Sequence, residues 1–173
     1  TIDLSSATVR ALNQALHEQA RTLTEREWVV SNPGGKHNLA VGLNEALSVE
    51  IDGHAGYYCA GMNQKASVTI HGNVGVGVAE NMMSGMGKAR SLVVCGDAGD
   101  ALGDSLSETR IYVKGTVKSL GSDCIEKDMR PEHLEELAEL LNRAGFDEDP
   151  ASFKRYGSAR QLYNFKVDNA SAY

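Results

Sequence analysis

The chain of 173 residues is 42% hydrophobic and 23% charged, a balance typical of one globular domain rather than of a disordered chain. Its formal net charge of −6, without any block of lysines or arginines, argues against a nucleic-acid-binding surface. No apolar run approaches the roughly 20 residues of a membrane helix, and the N-terminus lacks a signal-peptide pattern, so we expect a cytoplasmic protein.

Residues 1–26 are predicted to form an N-terminal helical arm. Val9, Leu12 and Leu16 are spaced to share one face of a helix over residues 6–20, and Ser5 or Ser6 can cap its start. Such an apolar stripe usually packs on its own domain. It could also cover an open end of the repeat that follows, where strand edges would otherwise lack partners.

Residues 27–124 contain a repeat marked by glycines. In each copy the second and fourth residues before a glycine are aliphatic, so one strand face should be buried and the other should face water. The glycines that mark the four clear copies are Gly53, Gly72, Gly96 and Gly115. A degenerate first copy, Trp28–Gly34, places Gly34 nineteen residues before Gly53. At these corners we expect glycine to supply a positive φ.

The spacing of the marker glycines predicts the fold. Successive intervals from Gly34 to Gly115 are nineteen, nineteen, twenty-four and nineteen residues. Nineteen residues hold two or three short strands with corners but are too few for a strand–helix–strand crossover. A β-sandwich of hairpins is the alternative, but it would show turns every 8–12 residues without a fixed phase. We therefore predict an all-β core, a right-handed parallel β-helix with coils of about 19 residues, flanked by N- and C-terminal α-helices.

Two further expectations follow from the coils. One aliphatic residue of each clear copy should stack in a single buried ladder: Ile51, Ile70, Val94 and Val113. The long interval, from Gly72 to Gly96, holds either a loop of five additional residues or the place of missing coils between Gly85 and Lys88. We expect a junction in the repeat at Gly85–Gly87.

Residues 125–173 are predicted to form a C-terminal helix and a docked tail. A helix over residues 131–144 is indicated by Pro131 in its first turn, by a stripe of leucines, and by Gly145 as its stop. The tail from Ala151 to Tyr173 combines aromatic and basic residues, and we expect it to pack on the domain.

The glycine-rich segments do not match nucleotide-binding motifs. Gly75–Glu80 lacks the third glycine of the dinucleotide fingerprint, and Gly34–Lys36 is followed by His37 instead of serine or threonine. We interpret both as corners of the β-helix. No catalytic or cofactor-binding residue is assigned.

Residues able to bind metals also lack the required patterns. The histidines show no metal-ligand spacing: His17, His37, His54, His71 and His133. Four acids in one region favour a solvated acidic face over a calcium site, since no nonapeptide repeat accompanies them: Asp97, Asp100, Asp104 and Glu108. The three distant cysteines are interpreted as buried thiols: Cys59, Cys95 and Cys124. No metal site is predicted.

Three segments resemble the glycine-repeat domain at the C-terminus of the glutamate synthase large subunit: Gly53–Met62, Gly72–Gly85 and Gly96–Ser105. The C subunit of formylmethanofuran dehydrogenase is a relative of that domain. Similarity is greatest to its stand-alone form, the B subunit of N-methylglutamate synthase (methylamine–glutamate N-methyltransferase). Met129–Leu134 and Arg155–Phe165 resemble the C-terminal extension of that protein type. Members of the family carry more coils between the positions of Gly85 and Lys88.

The resemblance implies a non-catalytic structural subunit of a heteromeric glutamate-synthase-like enzyme, most specifically one that converts methylamine and glutamate to N-methylglutamate and ammonia. It implies two partners, a glutaminase-like amidotransferase subunit and a flavin/iron–sulfur synthase subunit. FMN and iron–sulfur clusters would belong to the second partner, with no cofactor in this chain. The β-helix would support both partners and help to wall an ammonia passage. The alternative is an adaptor module of another oxidoreductase complex, such as a formylmethanofuran-dehydrogenase-like enzyme.

Overall fold

The computed structural model describes residues 1–22, 26–82, 90–106 and 109–159. Its elements in chain order are β1 (Ile2–Asp3), α1 (Val9–Thr22), β2 (Glu27–Ser31), β3 (Ser48–Asp52), β4 (Ser67–Ile70), β5 (Arg90–Val94), β6 (Thr109–Val113), β7 (Cys124–Lys127), α2 (Pro131–Ala144), a 3₁₀ turn (Pro150–Ser152) and β8 (Lys154–Ser158). The strands form one sheet in the order β1-β2-β3-β4-β5-β6-β8-β7. Within the described residues, neither helix has the length and apolar character to span a bilayer.

Strands β1 to β6 pair in parallel and form the main sheet of a β-solenoid. A second line of contacts runs through one corner residue of each coil: Ala55, Val74, Ala98 and Val117. Further round the coil, the Ala79 amide donates to the Cys59 carbonyl at 2.9 Å. Each coil thus hydrogen-bonds to the next at several points, and the predicted parallel β-helix with two helices is confirmed.

The predicted ladder in the core is confirmed. Ile51 pairs with Ile70, Ile70 with Val94, and Val94 with Val113. All four side chains are 0% exposed. Burying an aliphatic side chain of this size stabilises a fold by about 1.5–3 kcal/mol, so the stacked positions are a principal source of the solenoid's stability.

The coils have the predicted length of nineteen residues, with one exception outside the long interval. Ser48 pairs with Ser67 and Arg90 with Thr109, and each pair is separated by nineteen positions. In the first coil, however, Ser31 pairs with Asp52, twenty-one positions further along the chain. The assignment of Gly34 as the first marker was therefore wrong, because the residue after Ser31 occupies the place that Gly53 has in the next coil.

The predicted junction at Gly85–Gly87 lies outside the described residues. On either side of the long interval, β4 and β5 are direct neighbours in the sheet. Ile70 pairs with Val94, and the Cys95 amide donates to the Ile70 carbonyl at 2.8 Å. In this chain the two strands therefore belong to adjacent coils.

Most of the marker glycines serve a different purpose from the one expected. Gly53 has a positive φ of 140°, as expected, but Gly72, Gly96 and Gly115 do not, whereas eleven non-glycine residues in the described part of the chain do. A Cβ added to Gly72 would lie 2.5 Å from the Gly53 carbonyl oxygen in the preceding coil. Glycine is required there because the backbones of adjacent coils approach too closely for any side chain.

Helix α1 covers the N-terminal end of the solenoid. Its buried residues Leu12 and Leu16 join the core, and Asn13 binds the first coil in both directions. The Asn13 side chain donates to the Asn38 carbonyl at 2.7 Å and accepts from the Val41 amide at 3.3 Å. The Asn13 side chain thus supplies hydrogen-bond partners for two backbone groups of the end coil. This agrees with the expectation that the N-terminal helix covers an open end of the repeat.

The start of α1 differs from the prediction. The helix begins at Val9, and the Thr8 hydroxyl accepts the Ala11 amide at 3.0 Å. Thr8 is therefore the capping residue, whereas the prediction named Ser5 or Ser6. Those serines lie in a preceding turn that is organised by Asp3, whose side chain accepts the Ser5 amide at 2.8 Å.

Helix α2 has the predicted bounds and ends at Gly145, which adopts the left-handed conformation. The helix packs on the outer face of the sheet, where Leu137 and Leu141 contact a small second core with Val93 and Tyr112. The expectation that the outer strand face is wet was therefore wrong under α2. Strand alternation cannot reveal a helix that returns from a distant part of the chain.

Strand β8 closes the C-terminal end of the main sheet. It pairs antiparallel with β6 on one side and with β7 on the other. Ile111 lies opposite Tyr156, and Cys124 lies opposite Ser158. The last parallel strand thus has a hydrogen-bonded neighbour that comes from the C-terminal segment.

Candidate functional surfaces

The residue after each of three marker glycines, Gly53, Gly72 and Gly96, binds the next coil through its side chain. His54 Nδ1 accepts the Asn73 amide at 2.9 Å, and Asn73 Oδ1 accepts the Asp97 amide at 2.8 Å. Asp97 Oδ1 in turn accepts the Thr116 amide at 2.8 Å. Each neutral bond of this kind contributes about 0.5–1.5 kcal/mol, and a charged acceptor contributes more. His54 and Asp97 are therefore structural residues of one corner.

The other acids of the proposed acidic face are also bound to the following coil. Asp100 Oδ1 accepts the Ser119 hydroxyl at 2.9 Å, and Asp104 Oδ1 accepts the Ser122 amide at 2.6 Å. Glu108 lies outside the described residues. In the part of the chain that the structure describes, no group of three histidine, cysteine or acidic side chains is arranged to hold a metal.

Three other histidines also make contacts within the fold. His37 Nδ1 accepts the Tyr57 amide at 2.9 Å, and its ring stacks on the Tyr57 ring with centroids 3.8 Å apart. His133 is buried in the first turn of α2, where Nδ1 accepts the Arg130 amide at 3.2 Å. His17 of α1 contacts the Val41 carbonyl at 3.0 Å through Nε2.

The glycine-rich segments use their amides within the solenoid. The Gly75 amide donates to the Gly56 carbonyl at 3.1 Å, and the Gly77 amide donates to the Asp100 carbonyl at 2.9 Å. A phosphate-binding loop needs amides that point at the ligand. These two amides already have partners in neighbouring coils, which agrees with the interpretation of the segment as a corner.

The segment after α2 is fastened to the sheet by a charged contact, here called the latch and formed by His71, Lys114, Phe146 and Glu148. Lys114 Nζ donates to Glu148 at 2.5 Å, and this bond raises the lysine pKa. His71 Nε2 lies 3.6 Å from Glu148, and the imidazole stacks on Phe146 with centroids 4.5 Å apart. His71 therefore has a structural role in the latch, where it contacts Glu148 and Phe146 in the segment after α2.

The three thiols are free cysteines. Cys59 and Cys124 are buried as predicted, whereas Cys95 is only half-buried. Burial raises the pKa of each thiol to about 12. At neutral pH they are protonated, and a protonated thiol is a poor nucleophile and metal ligand.

A polar cluster, here called the clasp, lies between α2 and the outer face of the sheet. The carboxylate of Glu136 accepts Ser91 Oγ at 2.6 Å, the Tyr112 hydroxyl at 3.1 Å and Arg110 NH1 at 2.5 Å. Burial, together with the Glu136 charge, raises the pKa of Tyr112 well above its usual range. One helix carboxylate thus binds three groups from two strands.

A second buried charge lies beside the clasp. The Arg155 side chain in β8 is buried, and its Nε donates to the Asp128 carbonyl at 2.9 Å. Burial, with the nearby Arg155 charge, lowers the pKa of Lys127 to about 8. Glu136 and Arg155 thus make structural contacts within the fold.

Large apolar side chains are exposed on one set of turns, here called the apolar strip and formed by Tyr57, Met62 and Val76. Their exposed fractions are 50%, 48% and 51%. Tyr57 and Met62 belong to the turn over residues 57–62, and Val76 begins the corresponding turn of the next coil. The Tyr58 amide donates to the Val76 carbonyl at 2.8 Å, so the two turns are in contact.

Comparison with known proteins identifies the relationship. No family model matches the chain, and no solved structure matches it. Protein GlxC of Rhizobium meliloti (strain 1021) is 44% identical over 225 aligned positions, which cover 99% of both chains. The chain belongs to the GlxC family. Because 225 positions exceed the 173 residues of this chain by 52, GlxC carries at least that many residues without a counterpart here.

In this member of the GlxC family, three surfaces were missed by the sequence analysis: the latch, the clasp and the apolar strip. Each depends on contacts between residues far apart in sequence. One signal was available for the strip, because Tyr57 and Val76 are separated by nineteen positions and follow glycines at the same repeat position. The clasp left no such signal, because α2 contains several glutamates and the sequence does not distinguish Glu136 from the others.

Proposed function

We propose that the chain is a non-catalytic structural subunit of a heteromeric glutamate-synthase-like enzyme, most specifically N-methylglutamate synthase. One observation carries the proposal. The glycines that give the resemblance to the glutamate synthase domain, such as Gly72 and Gly75, lie where the backbones of adjacent coils approach each other closely. The similarity therefore concerns residues on which the solenoid itself depends. Membership of the GlxC family over the full chain is compatible with this assignment.

The proposed complex divides its chemistry among subunits. A glutaminase-like amidotransferase subunit and a synthase subunit with FMN and iron–sulfur clusters would carry the two half-reactions. This chain would hold the two in position and help to wall an ammonia passage between them. The substrates would be methylamine and glutamate, and the complex would reside in the cytoplasm.

The apolar strip is the surface that we propose for one of these partners. Tyr57 and Val76 lie on turns that are in contact, and neighbouring exposed apolar side chains commonly mark interaction sites. Aromatic residues and methionine are enriched at the centres of such interfaces. Tyr57 is held in place by its stacking on His37, so that binding would cost little side-chain entropy.

Purification from cells tests the proposal. A tagged chain expressed at its native level should co-purify with a flavin and iron–sulfur protein and with an amidotransferase-like protein, identified by mass spectrometry. The isolated chain should not convert glutamate and methylamine. Turnover by the pure chain would contradict the structural role, and partners of a formylmethanofuran-dehydrogenase type would favour the adaptor function instead.

Substitutions separate the apolar strip from the rest of the surface. Tyr57→Asp and Val76→Asp should each weaken association with the partner by at least about tenfold, as expected for central interface residues. Ile125→Asp is the matched control, since Ile125 in β7 is 44% exposed and lies outside the strip. Equal weakening by all three would argue against the strip as the docking site. Circular dichroism checks that each variant is folded.

A further inference from the structure

A groove at the start of β2, β3 and β4 carries an inference that does not rest on the proposed function. Its volume is about 340 Å³, and three cationic side chains line it: Arg26, Lys65 and Arg143. This volume lies within the range of about 300–1,000 Å³ that small-molecule sites occupy. We propose that the groove binds a small oxyanion with two or more negative charges, such as a dicarboxylate, a tricarboxylate or a phosphorylated metabolite.

The cations in the groove are only weakly engaged by the protein. Lys65 Nζ lies 4.0 Å from a Glu45 oxygen, and Arg143 NH2 lies 3.2 Å from a Glu139 oxygen. Both pairs are solvent-exposed, and exposed ion pairs add little to stability. Arg26 donates a long hydrogen bond, 3.4 Å, to the Ala46 carbonyl. A ligand that offers two carboxylate or phosphate oxygens can therefore displace these contacts at small cost.

Neutral donors lie between the cations. Ser48 of β3 and Ser67 of β4 pair directly in the sheet, and both line the groove. Their amides are used within the solenoid, because the Ser48 amide donates to the Arg26 carbonyl at 2.7 Å and the Ser67 amide to the Leu47 carbonyl at 2.9 Å. Their hydroxyls are the groups that can donate hydrogen bonds to an anion.

The charge of the lining determines the ligand class. Among the described lining residues, Glu27 is the one acid against three cations. Two further acids, Glu45 and Glu139, flank the groove through their ion pairs with Lys65 and Arg143. A monoanion can replace only one of these carboxylates, whereas a dianion or trianion can bind two of the cations at once. Arg26 and Arg143 also suit the planar geometry of carboxylate and phosphate groups.

Calorimetric titration of the full chain tests the site. The probes are citrate, glutarate, inorganic phosphate and pyrophosphate, with sodium chloride added to keep ionic strength constant. We expect saturable binding of at least one multivalent probe and none of acetate. The carboxylate and phosphate arms show which oxyanion the groove prefers. Lys65→Gln with Arg143→Gln should weaken that binding by at least about tenfold, as expected for lost charge-assisted hydrogen bonds.

Lys118→Gln is the matched control. Lys118 is exposed and lies 3.4 Å from Asp100 in the last coil, and it does not line the groove. This variant should bind the probe as the unmodified chain does. The proposal is overturned if no multivalent probe binds, if the double variant retains full affinity, or if the control loses as much. Binding of an acidic peptide without binding of any small probe would also overturn it. Thermal unfolding confirms that each variant is folded.

Discussion

Shortening Ile70 tests whether the stacked ladder holds the solenoid together. Ile70 is fully buried between Ile51 and Val94 of the adjacent coils. Ile70→Ala removes three carbons from a position that the neighbouring coils cannot easily refill, and it should lower the free energy of unfolding by about 2–5 kcal/mol. Ile70→Val removes one carbon and produces the residue already present at Val94, so its cost should be about 0.5–1.5 kcal/mol.

Urea unfolding followed by far-UV circular dichroism measures both changes. Val76→Ala is the control, because its side chain is half exposed and surface substitutions usually stay within about 0.5 kcal/mol. A loss below about 1 kcal/mol for Ile70→Ala would refute the reasoning, since it would mean that the side chain is not part of the core. A changed slope of the transition would show instead that cooperativity was altered.

Three further outcomes are expected. Gly72→Ala should destabilise the chain by about 1–3 kcal/mol in the same urea assay, because the new Cβ would lie 2.5 Å from the Gly53 carbonyl oxygen; a stabilised variant would contradict the close approach of the coils. Glu136→Gln should lower the melting temperature through loss of the charged acceptor for three donors, and an unchanged value would show that the clasp is dispensable. Burial raises the pKa of the Cys59 thiol from 9.0 to about 12, so the unfolded chain ionises this thiol at a lower pH than the folded chain does. The free energy of unfolding should therefore fall as the pH rises above 9. Cys59→Ala should reduce that slope, and an identical slope would contradict the assignment.

The sequence patterns predicted the coils correctly because they depend on residues that are close together in the chain. Alternating aliphatic residues before each glycine specify which strand face is buried, and they placed Ile51 and Val113 correctly in one ladder. The bounds of α2 were correct for the same reason. Pro131 favours a helix start, and Gly145 adopts the left-handed conformation that ends the helix.

The errors concern contacts between distant segments. Gly72 was explained by φ, whereas the backbone of the preceding coil is the true constraint. The outer face of β5 was expected to be wet, but α2 covers Val93. The groove beside Arg143 was not foreseen, because it combines the end of α2 with strands that begin far earlier in the chain.

Direct pairing of β4 with β5 has a consequence for the length of the solenoid. A chain built of coils changes length in steps of about 4.8 Å, the distance between neighbouring strands. If the additional positions of the GlxC relative, at least 52, lie in the long interval, that interval grows from twenty-four to at least seventy-six residues, or about four coils of nineteen. The solenoid here would then be about 14 Å shorter, or three strand spacings. A partner that touches only one end would fit both proteins. A partner that contacts both α1 and β8 would have to match the length of the solenoid between them, which would differ between the two proteins.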